Sequence, residues 1–169
     1  MRGKISGNRN LTVLRTLPDS YSQNRIRDAD VAIVTRDKPG RGEFLFSEQL
    51  VWAGAKNSVI REDQRLSVAV YEYGSEARKK VMTALGKLPC GYRIAYSSPY
   101  VAGQIAAVES GTAIAVLTRC SVPDSLHIIN SGQLPTLPSL DVVVISCDNT
   151  ANTKLNELLV NEIKLQLSR

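Results

Sequence analysis

Three short stretches place hydroxyls beside glycine or proline just after an apolar run: Thr16-Leu17-Pro18-Asp19-Ser20, Glu72-Tyr73-Gly74-Ser75 and Ser97-Ser98-Pro99-Tyr100. Each would present side-chain oxygens and free backbone N–H groups at the start of a helix, where the helix dipole is positive. That combination suits a carboxylate or another anion, held by donors and without covalent chemistry. Taken singly, Ser20, Ser75 and Ser98 would serve equally well as N-caps of the helices that follow. Their recurrence in equivalent places favours a ligand cleft. Tyr73 and Tyr100 would wall such a cleft, or else pack with their hydroxyls at the surface.

Nothing comparable points to catalysis. The chain has one histidine, His127, so a multi-histidine metal site is excluded and a triad would have to be built on that residue. It reads instead as a structural or surface histidine. Cys90, Cys120 and Cys147 are odd in number and widely separated, which gives neither a disulfide framework nor metal-ligand spacing, and they are expected to be small buried side chains. The stretch GTAIAV lacks the second and third glycines of a dinucleotide loop, and GKLPCG lacks the Lys-Ser/Thr of a phosphate loop. The expectation is a protein with no catalytic residues, no cofactor and no metal.

The elements that would position these stretches follow from periodicity and punctuation. Residues 11–15 suggest a short strand, 18–27 a helix and 30–35 (DVAIVT) a buried strand. A basic, Gly-rich loop over 36–42 precedes FLFSEQLVWAGA, which predicts one or two further strands ending near Ala55. After a polar stretch, LSVAVY (66–71), YRIAYS (92–97) and TAIAVLT (112–118) predict strands that alternate with helices over 75–87 and 99–109. Strand, helix, strand, helix, strand at this spacing implies parallel pairing through right-handed crossovers. Open parallel sheets take ligands outside the carboxyl ends of their strands, where all three hydroxyl clusters fall. Ser75 would cap its helix, with Glu76 favourable in the first turn and Arg78, Lys79 and Lys80 exposed. Gly111 suits a left-handed helix end. A strand over 141–146 and a closing helix from 149 or 150 complete the chain, with Leu155, Leu158, Leu159, Ile163 and Leu167 on a face that packs onto a lobe.

At 169 residues the chain has room for one globular unit or two small lobes, and its 43% hydrophobic and 22% charged residues place it among folded α/β proteins. No apolar run approaches the ~20 residues of a membrane helix. The polar start lacks a secretory signal, so the expected location is cytoplasmic. The net charge of +5 resides in the first quarter, where residues 1–41 hold nine Lys/Arg against four acids; the remainder is balanced. Because those charges are interspersed with acids and lack aromatic platforms, they suggest a solvated face rather than a nucleic-acid surface.

The run from DADVAIVTRDKPG through FLFSEQLVWAGA, followed by LSVAVYEYGSEARKKVMTALGKL, YRIAYSSPYVAGQIAAVESGTAIAVLT and QLPTLPSL, resembles in order and spacing the effector-binding (substrate-binding) domain of LysR-type transcription regulators. No short motif is diagnostic; the resemblance extends over roughly residues 11–167. It implies an α/β fold of two Rossmann-like lobes, similar to type 2 periplasmic binding proteins, with a small effector in the cleft between them. The lobes would comprise 1–56 with 119–169, and 57–118, hinged near 50–56 and 114–122. Carried across, Thr16, Val34 and Thr35 would line the first lobe's side. Tyr71, Tyr73, Ser75, Ser97, Ser98 and Tyr100 would line the second, with Leu117 and Thr118 near the hinge.

Against the family pattern, the DNA-reading head is expected to be absent from this chain, and so are the strand and helix that open the first lobe, because Leu11 aligns with what is usually the second strand. DNA would then be reached only through a head domain outside this chain. An unpaired strand edge and apolar face predict self-association as a dimer or higher oligomer. The leading expectation is effector sensing, with a small molecule such as a carboxylate as partner and no membrane. Its competitors are a truncated structural or dimerisation fragment without ligand binding, a small solute-binding protein and a small enzyme on a doubly wound fold.

Overall fold

The computed structural model describes residues 31–56, 58, 64–146 and 153–167. The strand expected over 11–15, the helix over 18–27, Thr16, Ser20 and Cys147 lie outside the described residues. The chain divides into two compact units. Of the described residues, one unit holds 31–47, 140–146 and 153–167, and the other holds 48–139. The second unit is longer than the lobe expected over 57–118, because the strands that flank that stretch pair with it.

In the second unit, β3 (Leu66–Val70), β4 (Tyr92–Ser97) and β5 (Ile114–Thr118) alternate with α1 (Glu76–Leu85) and α2 (Val101–Glu109). β3 lies between β4 and β5 and is parallel to both. The later part of β2 (Glu43–Ala55) runs antiparallel to β5, with Val51 opposite Leu117 and Trp52 opposite Val116. β6 (Leu126–Ile128) adds to β2, placing His127 opposite Gly54. The short β-branched and alanine runs IAVLT and LSVAV suit strands covered on both faces. Ala53, Ala69, Val108, Ala113, Ala115, Leu117 and Leu126 form the core, with Val101 and Ile105 of α2 packed against it.

Local chemistry fixes the helix ends. Ser75 caps α1, its Oγ accepting from the Arg78 N–H at 3.1 Å, as its position predicts. Gly111, at φ +73°, follows the end of α2 in the left-handed conformation expected of it. A register shift between Val68 and Ala69 lets β4 skip one residue, so that Ser97 comes beside Val70 where both strands end. All three parallel strands therefore discharge their chains at one edge of the unit.

In the first unit, β1 (Val31–Thr35) pairs antiparallel with β7 (Ser139–Ser146), which also neighbours the earlier part of β2. FLFSEQLVWAGA thus forms one strand of 13 residues, begun at Glu43. The loop before it is braced by an Arg41–Asp37 ion pair at 2.7 Å, and the hydrogen bond from Arg41 holds the Asp37 carboxyl below its usual value. α3 (Thr153–Leu167) lays Leu159, Val160 and Ile163 on Val31, Leu45 and Val144. Leu158 and Leu167 do not join them, being 60% and 37% exposed. No described helix is long and apolar enough to cross a membrane.

Candidate functional site

The carboxyl ends of β3 and β4 gather most of the expected residues around a side chain that the sequence reading had placed in solvent. Arg78 is only 6% exposed. Its Nη1 donates to the Tyr71 carbonyl and, at 3.2 Å, to Ser97 Oγ. The guanidinium also lies 4.2 Å from the centre of the Tyr73 ring. One cation thus joins the residue after β3, the loop before α1, the capped first turn of α1 and the last residue of β4. Its burial was legible in hindsight, because 78, 81 and 85 fall on one helical face and Val81 and Leu85 are buried.

Tyr71 is half-buried, and burial, with a smaller contribution from nearby Cys120, pushes its phenol up to about 12. It is a neutral donor over the whole physiological range. Tyr73 and Tyr100 are 83% and 71% exposed, so their rings stand at the surface. Ser98 is buried and is not the N-cap of α2; that position belongs to Tyr100, which makes no side-chain cap. Ser98 Oγ instead accepts from the Tyr100 N–H at 3.1 Å, turning the chain into the helix. Gly103 permits this packing, since a Cβ there would sit 2.7 Å from Ser98 Oγ and 3.1 Å from the Tyr96 hydroxyl.

Among the described residues, the remaining expected ones make no contact with Arg78 that places them in this cluster. Leu117 is wholly buried in the second unit's core and cannot line a surface. Thr118 ends β5 with its hydroxyl 2.6 Å from Ser121 Oγ. Val34 and Thr35 belong to the other unit, opposite Val143 and Val142. Cys120 is exposed and Cys90 half-buried, against the expectation of buried cysteines, because the chain turns outward after β5 and after α1. His127 is half-buried, with Nδ1 unpartnered among the described residues. Gln104 of α2 is fully buried with both amide atoms unpartnered among the described residues, a feature for which residues 99–109 carry no local signal. A cavity of about 450 Å³ at the amino end of β4, lined by Arg65, Leu85, Leu88, Cys90 and Tyr92 among others, includes none of the expected site residues.

No protein-family model matches the sequence. A curated relative, the HTH-type transcriptional regulator DgdR of Burkholderia cepacia, is 32% identical over 129 residues, covering 75% of this chain. The chain spans 44% of that relative's length. Among solved structures, the bromide-bound regulatory domain of HypT from Salmonella typhimurium superposes with a TM-score of 0.71 at 12% identity, over 89% of this chain and 81% of that one. The regulatory domain of CcmR from Synechocystis, in complex with 2-PG, gives 0.69 at 13% identity, over 90% and 81%. Full-length HypT, described as a hypochlorite-specific LysR-type transcriptional regulator, gives 0.69 at 15% identity, over 90% of this chain and 57% of that chain. At these identities the structural likeness establishes the fold.

Proposed function

The chain belongs with the regulatory domains of LysR-type transcription regulators, and from that premise we propose that it senses a small-molecule effector and performs no chemistry of its own. The observation that carries this reading is the convergence of Tyr71, Tyr73 and Ser97 on one buried guanidinium at the carboxyl ends of two parallel strands. The likeness to a bromide-bound regulatory domain and to one in complex with 2-PG supports a ligand-responsive role. Binding would alter regulation by favouring one conformation or assembly over another, which requires that the effector's affinity differ between them. Self-association, a cytoplasmic location and DNA contact through a separate head domain belong to the same proposal.

Thermal denaturation against a panel of small organic acids, amino acids and sugars tests it. A ligand that binds only the folded chain raises the melting temperature in proportion to the logarithm of its concentration. No shift with any compound would favour a structural fragment. Light scattering that found only monomer at high concentration would remove self-association from the proposal.

A further inference from the structure

Arg78 is placed where a stabilising cation is least expected. It is buried, it lies in the first turn of α1, where the helix dipole is positive, and its partners are a carbonyl, a hydroxyl and an aromatic ring. No carboxylate pairs with it among the described residues; Glu76, two residues away, is engaged by Lys79. Removing a cation from water without a counter-charge is costly, and neutral partners recover part of that cost. The hydrogen bonds use Nη1 alone. Nε and Nη2, with three N–H donors, take no partner among the described residues, yet they are not among the atoms sealed from solvent.

We propose that Arg78 is the anchor for a carboxylate of the effector, which docks on Nε and Nη2 and completes the ion pair that the fold leaves open. This rests on the effector-sensing reading and narrows it to a carboxylic acid. The fork of Nε–H and Nη2–H matches the two oxygens of a carboxylate. Nη1, tied to the Tyr71 carbonyl and Ser97 Oγ, fixes the plane of the fork, and the Tyr73 ring covers one face. Because Arg78 is itself bonded to Tyr71, just after β3, and to Ser97, the last residue of β4, a ligand held on it is coupled to both strand ends.

The test uses the full chain, labelled with ¹⁵N, and titrates acetate, lactate and benzoate against their neutral amides at constant ionic strength. The Arg78 Nε–H resonance, identified by its loss in Arg78→Lys, is expected to shift saturably with at least one acid and with none of the amides. That acid should also raise the melting temperature of the wild type, and Arg78→Met should weaken its binding on the order of thirtyfold or more. If Arg78→Met fails to fold, the wild-type resonance and the Arg78→Lys titration decide. Binding of an acid that survives loss of Arg78, or of any compound of the wider panel that leaves the Nε–H resonance unmoved, would overturn the anchor while leaving effector sensing intact. Absence of binding by every acid and every panel compound would overturn both.

Discussion

Leu117→Ala separates a core role from a site role at a position where the family resemblance and the packing disagree. The side chain is wholly inaccessible on β5, with β2 hydrogen-bonded on one side and β3 on the other, and it packs with Ala53, Ala69, Val108 and Leu126. Truncation removes three carbons, at about 0.8 kcal/mol each, or roughly 2.4 kcal/mol of transfer free energy. Strands on both sides limit collapse into the space, so a cavity contribution brings the expected loss to about 3–5 kcal/mol. Against a total stability of about 5–15 kcal/mol, that is a large fraction. Trp52 is the only tryptophan in the chain; it is buried, lies opposite Val116 on the neighbouring strand and donates from Nε1 to the Pro135 carbonyl at 2.9 Å. Its fluorescence in urea therefore reports unfolding of this unit, with an expected midpoint lower by about 2 M for an m-value near ~2 kcal/mol/M. An unchanged midpoint combined with altered ligand binding would refute the core assignment and return Leu117 to the site.

The other predictions concern a close approach, an ionisation and a buried amide. Gly42→Ala would place a Cβ 2.6 Å from Ile145 Cγ2 and 2.7 Å from the Val144 carbonyl, at a φ of +66°; the backbone cannot step aside, so a loss of about 2 kcal/mol or more is expected in thermal denaturation by circular dichroism. Tyr71 titrates near 10 when unfolded and is pushed up to about 12 in the fold. Its neutral form is thus favoured by folding. That contribution is complete below pH ~10 and disappears as pH rises towards ~12, which an absorbance titration paired with denaturation curves of the wild type and Tyr71→Phe will detect. Gln104→Met replaces a buried, unpartnered amide by an apolar chain of similar length and helix preference. A gain of roughly 1–3 kcal/mol is expected, and a loss would show that the amide is satisfied by an ordered water.

The alternation of strand and helix from Leu66 to Thr118 is local information. Apolar runs of five or six residues, a serine three positions before a helical N–H and a glycine beyond the helix end each act within a few residues, so these elements emerge where the sequence places them. Parallel pairing followed from connection lengths, and with it the common edge at which the strands give way to the loops before the helices. The hydroxyl clusters at residues 72–75 and 97–100 were visible for the same reason, as was the cap at Ser75.

What the sequence could not decide is which side chains share a surface. Leu117 and Thr118 are neighbours in the chain, yet β5, covered on both faces between β2 and β3, is buried from Ile114 through Leu117, and Thr118 emerges where the strand ends. Leu158 and Leu159 are likewise neighbours with different fates, the first exposed and the second packed against Val31, Leu45 and Val144. Arg78 was the consequential case: a basic residue in an exposed-looking Arg-Lys-Lys run, turned inward because its position matches Val81 and Leu85 on the face that packs. Charge alone predicts solvent. Only the arrangement of Tyr71, Tyr73 and Ser97 around it reveals a buried cation with open donors, because the stretch after β3 and the end of β4 are 24 residues or more apart in the chain and meet only when the strands are in register.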